Sequence, residues 1–181
     1  MDYIKAFHEA TVDKNTDTDI STALEADEES SNTSYGHVTI HSNYSQVTWG
    51  DLKPEIEDGE RWSVKETTST GTSVQLEYRV KCKGEKNKQD TYNVKEFFRV
   101  RYDKTARRVY LLDYDRTAEQ VFDPSSKVLS AKGILLGITD ADVPYLINKK
   151  GTIVSFVQAD ELWNYNKDRD ELSLVFSFAS T

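Results

Sequence analysis

Val74-Gln75-Leu76-Glu77-Tyr78-Arg79-Val80-Lys81-Cys82-Lys83 alternates apolar and polar residues without a break, the period of a β-strand with one face in a core and the other in water. After a polar turn over residues 84–90, Tyr92, Val94, Phe98, Val100 and Tyr102 share one face, with Asn93, Lys95, Phe97, Arg99 and Arg101 on the other. The two runs predict an antiparallel hairpin. Glu96 falls on the apolar face, and two arrangements accommodate it. A β-bulge would rotate Glu96 out and Phe97 in, or the carboxylate would be buried and paired with Arg79 or Arg99. The bulge is the expectation.

Upstream, Tyr3, Ile4 and Phe7 recur at helical spacing beside Ala6 and Ala10, which predicts a short amphipathic helix over residues 2–11. Residues 11–34 are rich in Asp, Glu, Ser and Thr and read as a solvated linker with one helical turn over residues 20–24. The β pattern begins at His37 with Val38 and Ile40, turns over residues 42–45, and returns with Val47 and Trp49. Pro54 and Asp58-Gly59 mark a loop, and Trp62, Val64 and Glu66 make a strand leading into the hairpin. Downstream, residues 109–114 are apolar on both faces, the signature of a covered strand. Thr117-Ala118-Glu119-Gln120 has capping-box spacing and predicts a helical turn.

Short apolar runs then follow at residues 133–138, 143–148, 151–158, 161–165 and 171–178. The last places Leu172, Leu174, Phe176 and Phe178 on one face and Ser173, Val175 and Ser177 on the other. Within this tail, Gly151-Thr152-Ile153-Val154-Ser155-Phe156-Val157, Glu161-Leu162-Trp163-Asn164-Tyr165-Asn166 and Leu172 to Phe178 resemble a blade of the TolB-like β-propellers, with Asn166 where that family usually has Asp. The resemblance spans residues 142–178 and implies a scaffold for protein contacts; its matched positions are structural. A propeller closes only with several blades of about 40 residues each. The expected architecture is thus mainly β: an antiparallel meander with a short amino-terminal helix and carboxy-terminal blade-like hairpins. The expected divisions are residues 1–34 (helix and acidic linker), 35–123 (antiparallel β domain) and 124–181 (hairpins).

Composition limits the function classes. Tyr (10) and Phe (7) are plentiful while Met and Cys occur once each, which favours sheets. A net charge of −8 argues against nucleic acid and anionic membranes as partners, and no apolar run is long enough to span a bilayer. The charge is unevenly spread. Residues 1–60 hold 3 Lys/Arg against 14 Asp/Glu, whereas residues 79–108 hold 11 against 4. The lone Cys82 has no disulfide partner in the chain and faces inward as a small hydrophobe.

Motifs for chemistry are sparse, and no catalytic residue, metal ligand or cofactor is assigned. Asp13-x-Asn15-x-Asp17-x-Asp19-Ile20 has the oxygen spacing of a calcium loop, but Thr18 replaces the turning Gly and Leu24 the bidentate Glu. His37 and His41 lie about 13 Å apart on an extended strand, too far to share an ion unaided. His8 has no partner at a motif spacing, and Cys82 is misplaced for a nucleophile. The acidic pairs Asp113/Asp115 and Asp140/Asp142 have no cleft around them in the sequence pattern.

The hairpin's outer face carries the functional expectation. Arg79, Lys81, Lys83, Lys95, Arg99 and Arg101 would stand together around Phe97, with Lys104, Arg107 and Arg108 in the next turn. Such a patch suits a polyanion, an acidic protein, or the chain's own acidic amino-terminal segment; the plain alternative is a face kept wet and guarded against edge pairing. We therefore expect a non-catalytic binding or scaffold module of a larger secreted or surface-tethered bacterial protein, hence extracytoplasmic. The rival expectation is a ligand pocket or hydrolase site between helix and sheet, lined by Tyr78, Phe98 and Tyr102.

Overall fold

Ile4, Phe7, His8 and Thr11 recur every three or four residues and wind the amino terminus into α1 (Asp2–Val12) with all four on its buried side. The computed structural model describes residues 1–27, 34–57, 59–84, 89–123, 129–130, 133–134, 136 and 143–178. It divides into two compact units, Met1–Ala118 and Glu119–Thr181. The fold is mainly β, with antiparallel sheets and the short amino-terminal helix. No helix among the described residues is long and apolar enough to cross a membrane.

In the first unit, α1 and a 3₁₀ turn (Ser21–Ala23) precede β1 (His37–Thr39), α2 (Tyr44–Val47), β2 (Glu55–Ile56), β3 (Arg61–Thr67), β4 (Gly71–Lys83), β5 (Gln89–Asp103) and β6 (Arg108–Gln120). The sheet runs β1-β6-β5-β4-β2, with β3 also on β4. Its inner face buries Val74, Leu76, Val80, Val94 and Phe98, and Phe7 of α1 is set edge-on to Phe98 at 6.1 Å.

Three local expectations change. Val47 and Trp49 do not return as a strand: the Asn43 side chain accepts from the Gln46 amide and caps the single turn α2, which ends where Trp49 and Gly50 take positive φ. Nor is there a helical turn at residues 117–120, because β1 claims the segment. Val38 pairs with Arg116 and His37 with Thr117, so β6 continues as strand to Gln120. Third, residues 109–114 are not covered on both faces. Leu111 and Tyr114 point inward while Tyr110, Leu112 and Asp113 are exposed, so the strand changes phase between Leu111 and Tyr114.

The second unit holds β7 (Leu129–Ser130) paired with β8 (Gly133–Ile134), and a four-stranded sheet in the order β12-β11-β10-β9. Those strands are β9 (Tyr145–Ile147), β10 (Ile153–Gln158), β11 (Glu161–Asn166) and β12 (Glu171–Ser177). Ala159 and Asp160, both at positive φ, form the two-residue turn joining β10 to β11. Phe122, Phe156, Trp163 and Tyr165 make the core, with Phe122 edge-on to both Phe156 and Trp163. The expected single apolar face of residues 172–178 is split. A register shift sets Trp163 against Leu174 but Leu162 against Phe176, so Val175 is the extra residue of a bulge. Leu172 and Leu174 lie on the core side, and Phe176 lies on the opposite one.

Candidate functional site

The register between β4 and β5 runs without a shift from Gly71↔Arg101 to Lys83↔Gln89. There is no bulge at Glu96, and the expectation that one would turn Phe97 inward is overturned. Glu96 is fully buried and Phe97 stands partly buried on the outer face between Lys95 and Arg99. The reason is energetic: hydrogen bonds from His8, Tyr78 and Tyr114 offset the desolvation of the buried carboxylate.

On the outer face Lys95, Arg99, Arg101, Arg79 and Lys83 are exposed, and Lys81 is half-buried. Across the strand from Lys95, Phe97, Arg99 and Arg101 stand Glu77, Gln75, Ser73 and Gly71. The larger side chains of β5 thus border a row on β4 that shortens toward Gly71. Acidic groups stand beside several of these cations. Glu57 pairs with Lys81 at 2.6 Å, and Glu77 with Arg61 at 2.7 Å. Arg79 Nε donates to Asn93. Lys95 and Arg99 form no ion pair with any described residue. Arg101 lies near Asp103, whose carboxyl is held below its ordinary value first by the Ala106 and Thr105 amides and then by that guanidinium.

The described part of the acidic amino-terminal segment is secured elsewhere. α1 covers the inner face of the sheet, and the Glu25 and Asp27 amides donate to Ile40 and His41 just beyond β1.

Beneath α1 lies a polar cluster for which sequence reasoning named only the Glu96 anomaly. Glu96 Oε1 accepts from the Tyr114 hydroxyl at 3.0 Å and from Tyr78 at 3.2 Å, and Oε2 meets His8 Nδ1 at 2.7 Å. A carboxylate only accepts, so Nδ1 of His8 carries the proton. On its other side His8 Nε2 lies 3.6 Å from Glu60. Burial pulls the His8 pKa down, but Glu96 and then Glu60 more than offset it and hold it above the ordinary histidine value. Burial, reinforced by Glu96, pushes both tyrosine hydroxyls well up. The Arg79 or Arg99 partners expected for a buried Glu96 are absent, since both point to the other face. Arg116, fully buried, donates to the Val47 and Gln46 carbonyls and stacks 3.9 Å from the Trp49 ring. The signal that could have found this cluster is a pair of misfits. His8 and Glu96 are each an ionisable residue on a largely apolar face.

The pocket residues of the rival expectation are placed differently. His8 packs edge-on to Tyr78 and Phe7 to Phe98, both buried, while Tyr102 is exposed. Asp13 Oδ1 accepts from the Asn15 amide and Asp19 Oδ1 from Ser21, which closes local turns at those positions of the calcium-like spacing. His37 pairs with Asp115 at 2.7 Å, and His41 Nδ1 contacts the Glu25 carbonyl. Cys82 is buried, and burial pushes its thiol up to about 11. Asp140 and Asp142 lie outside the described residues. Comparison with protein-family models, with curated proteins and with solved structures found no match.

Proposed function

We propose that this chain is a non-catalytic binding module that engages an acidic partner, either a polyanion or an acidic protein segment, through the outer face of β4 and β5. The observation that carries the proposal is the unshifted β4–β5 register. It leaves Lys95, Arg99 and Arg101 exposed side by side around a partly buried Phe97, with Lys95 and Arg99 outside any described ion pair. Like charges on neighbouring positions of one sheet face repel, and a ligand carrying acidic groups relieves that repulsion while Phe97 supplies apolar contact. As a part of a larger extracytoplasmic bacterial protein, the module would hold such a partner and not transform it.

The test is titration calorimetry of the chain with polyglutamate and with heparin at two salt concentrations. Binding is expected to weaken steeply as salt rises, and the triple variant Lys95→Gln, Arg99→Gln, Arg101→Gln is expected to lose at least about tenfold in affinity, or ~1.4 kcal/mol. Its thermal stability should not fall, because the replaced groups are exposed and their mutual repulsion is removed. Equal affinity in the variant, or no binding of either polyanion, would refute the proposal.

A further inference from the structure

The sheet of the second unit ends on two edges that are guarded differently. β9 is three residues long and follows Pro144, both devices that blunt an edge against further pairing. β12 has neither. Over Leu172-Ser173-Leu174-Val175-Phe176-Ser177-Phe178 it carries no charge and no proline, and among the described residues no strand pairs with its outer side. The bulge at Val175 distributes its apolar side chains over both faces. Leu174, Val175, Phe176 and Phe178 are about half exposed, at 49%, 51%, 56% and 58%, and the Phe176 and Phe178 rings meet 4.9 Å apart.

We propose that the β12 edge is an interface that takes a further β-strand, and that the strand is β12 of a second copy of this chain. An unpaired strand edge presents a row of backbone donors and acceptors that another strand satisfies in full. The added strand must itself be apolar on both faces, because it extends a sheet whose last strand is apolar on both. β12 meets that requirement. Its one charge, Glu171, selects the direction. Parallel pairing would set the two Glu171 carboxylates side by side, whereas antiparallel pairing sends them to opposite ends; because the bulge at Val175 reverses the phase of the strand, the register that opposes Leu172 to Ser177 and Ser173 to Phe176 keeps opposed side chains on one face. A two-fold axis normal to the sheet also keeps like with like. Leu172 and Leu174 of both copies stay on the core side, and Phe176 and Phe178 of both stay on the other. The contact is self-complementary and closed, as two-fold dimers require. With one short strand and a few side chains from each copy it belongs among small, reversible interfaces.

The experiment is sedimentation velocity of the full chain across a concentration series. The expected result is a species of twice the 20.7 kDa chain mass that dissociates on dilution and persists at high salt, unlike polyanion binding. The double variant Leu174→Lys, Phe176→Lys should sediment at the single-chain mass with an unchanged far-ultraviolet circular dichroism spectrum. A control at the guarded edge, Tyr145→Lys with Leu146→Lys, should still dimerise. Hydrogen exchange on the unaltered chain gives a reading that requires no variant: β12 amides should slow as concentration rises. A chain that stays monomeric at its highest soluble concentration, a dimer indifferent to the β12 substitutions or lost in the β9 control, or β12 amides insensitive to concentration would each overturn the proposal.

Discussion

Glu96 is the residue on which the interior of the first unit turns. Three donors from two strands and a helix converge on one carboxylate, so removing its charge leaves desolvated partners behind. Glu96→Gln is expected to cost about 2–4 kcal/mol, read as a lower urea midpoint. His8 gives this stability a pH dependence. Its pKa in the folded protein is raised above the ordinary 6.5. The stabilising contribution is therefore fully present below that value and is lost as pH climbs through the raised one. A urea midpoint that falls as pH increases above 6.5, with the fall absent in His8→Gln, is the expected outcome. Cys82, buried and pushed up to about 11, should be inert to a thiol reagent at neutral pH until denaturant opens the sheet; rapid labelling of the native chain would contradict that assignment.

At the scale of elements, α1 acts as the cover of the inner sheet face through Phe7. Phe7→Ala removes a ring that touches both Phe98 and Tyr114 and should destabilise the protein by about 3–5 kcal/mol, measurable by denaturant titration. The helix and the hairpin were legible in the sequence because each repeats one period over many residues. Shorter signals were overridden by tertiary partners. Asn43 capped α2 where two apolar residues suggested a strand, and β1 drew residues 117–120 into a sheet despite their capping-box spacing. The bulge at Val175 left no trace in the alternation of residues 172–178, because only the register against β11 creates it. The basic face was readable residue by residue. The His8–Glu96 contact joins positions 88 apart, and no local period encodes such a pairing.

For the molecule as a whole, an acidic chain of net charge −8 presents exposed cations along the outer face of β4 and β5, and its two units each have an aromatic core of their own. The three tryptophans are divided between those cores: Trp49 and Trp62 in the first unit, Trp163 in the second. Replacing Trp49 and Trp62 by Phe, which keeps a ring face for Arg116, leaves a single indole packed against Phe122. Fluorescence of that variant would report the second unit alone, while ellipticity reports all strands. Adding Glu96→Gln in this background should lower the ellipticity midpoint, and the accompanying emission midpoint measures how far the second unit follows the first. The placement of three indoles thus makes the chain its own two-channel optical reporter, able to show which half of the molecule has yielded first.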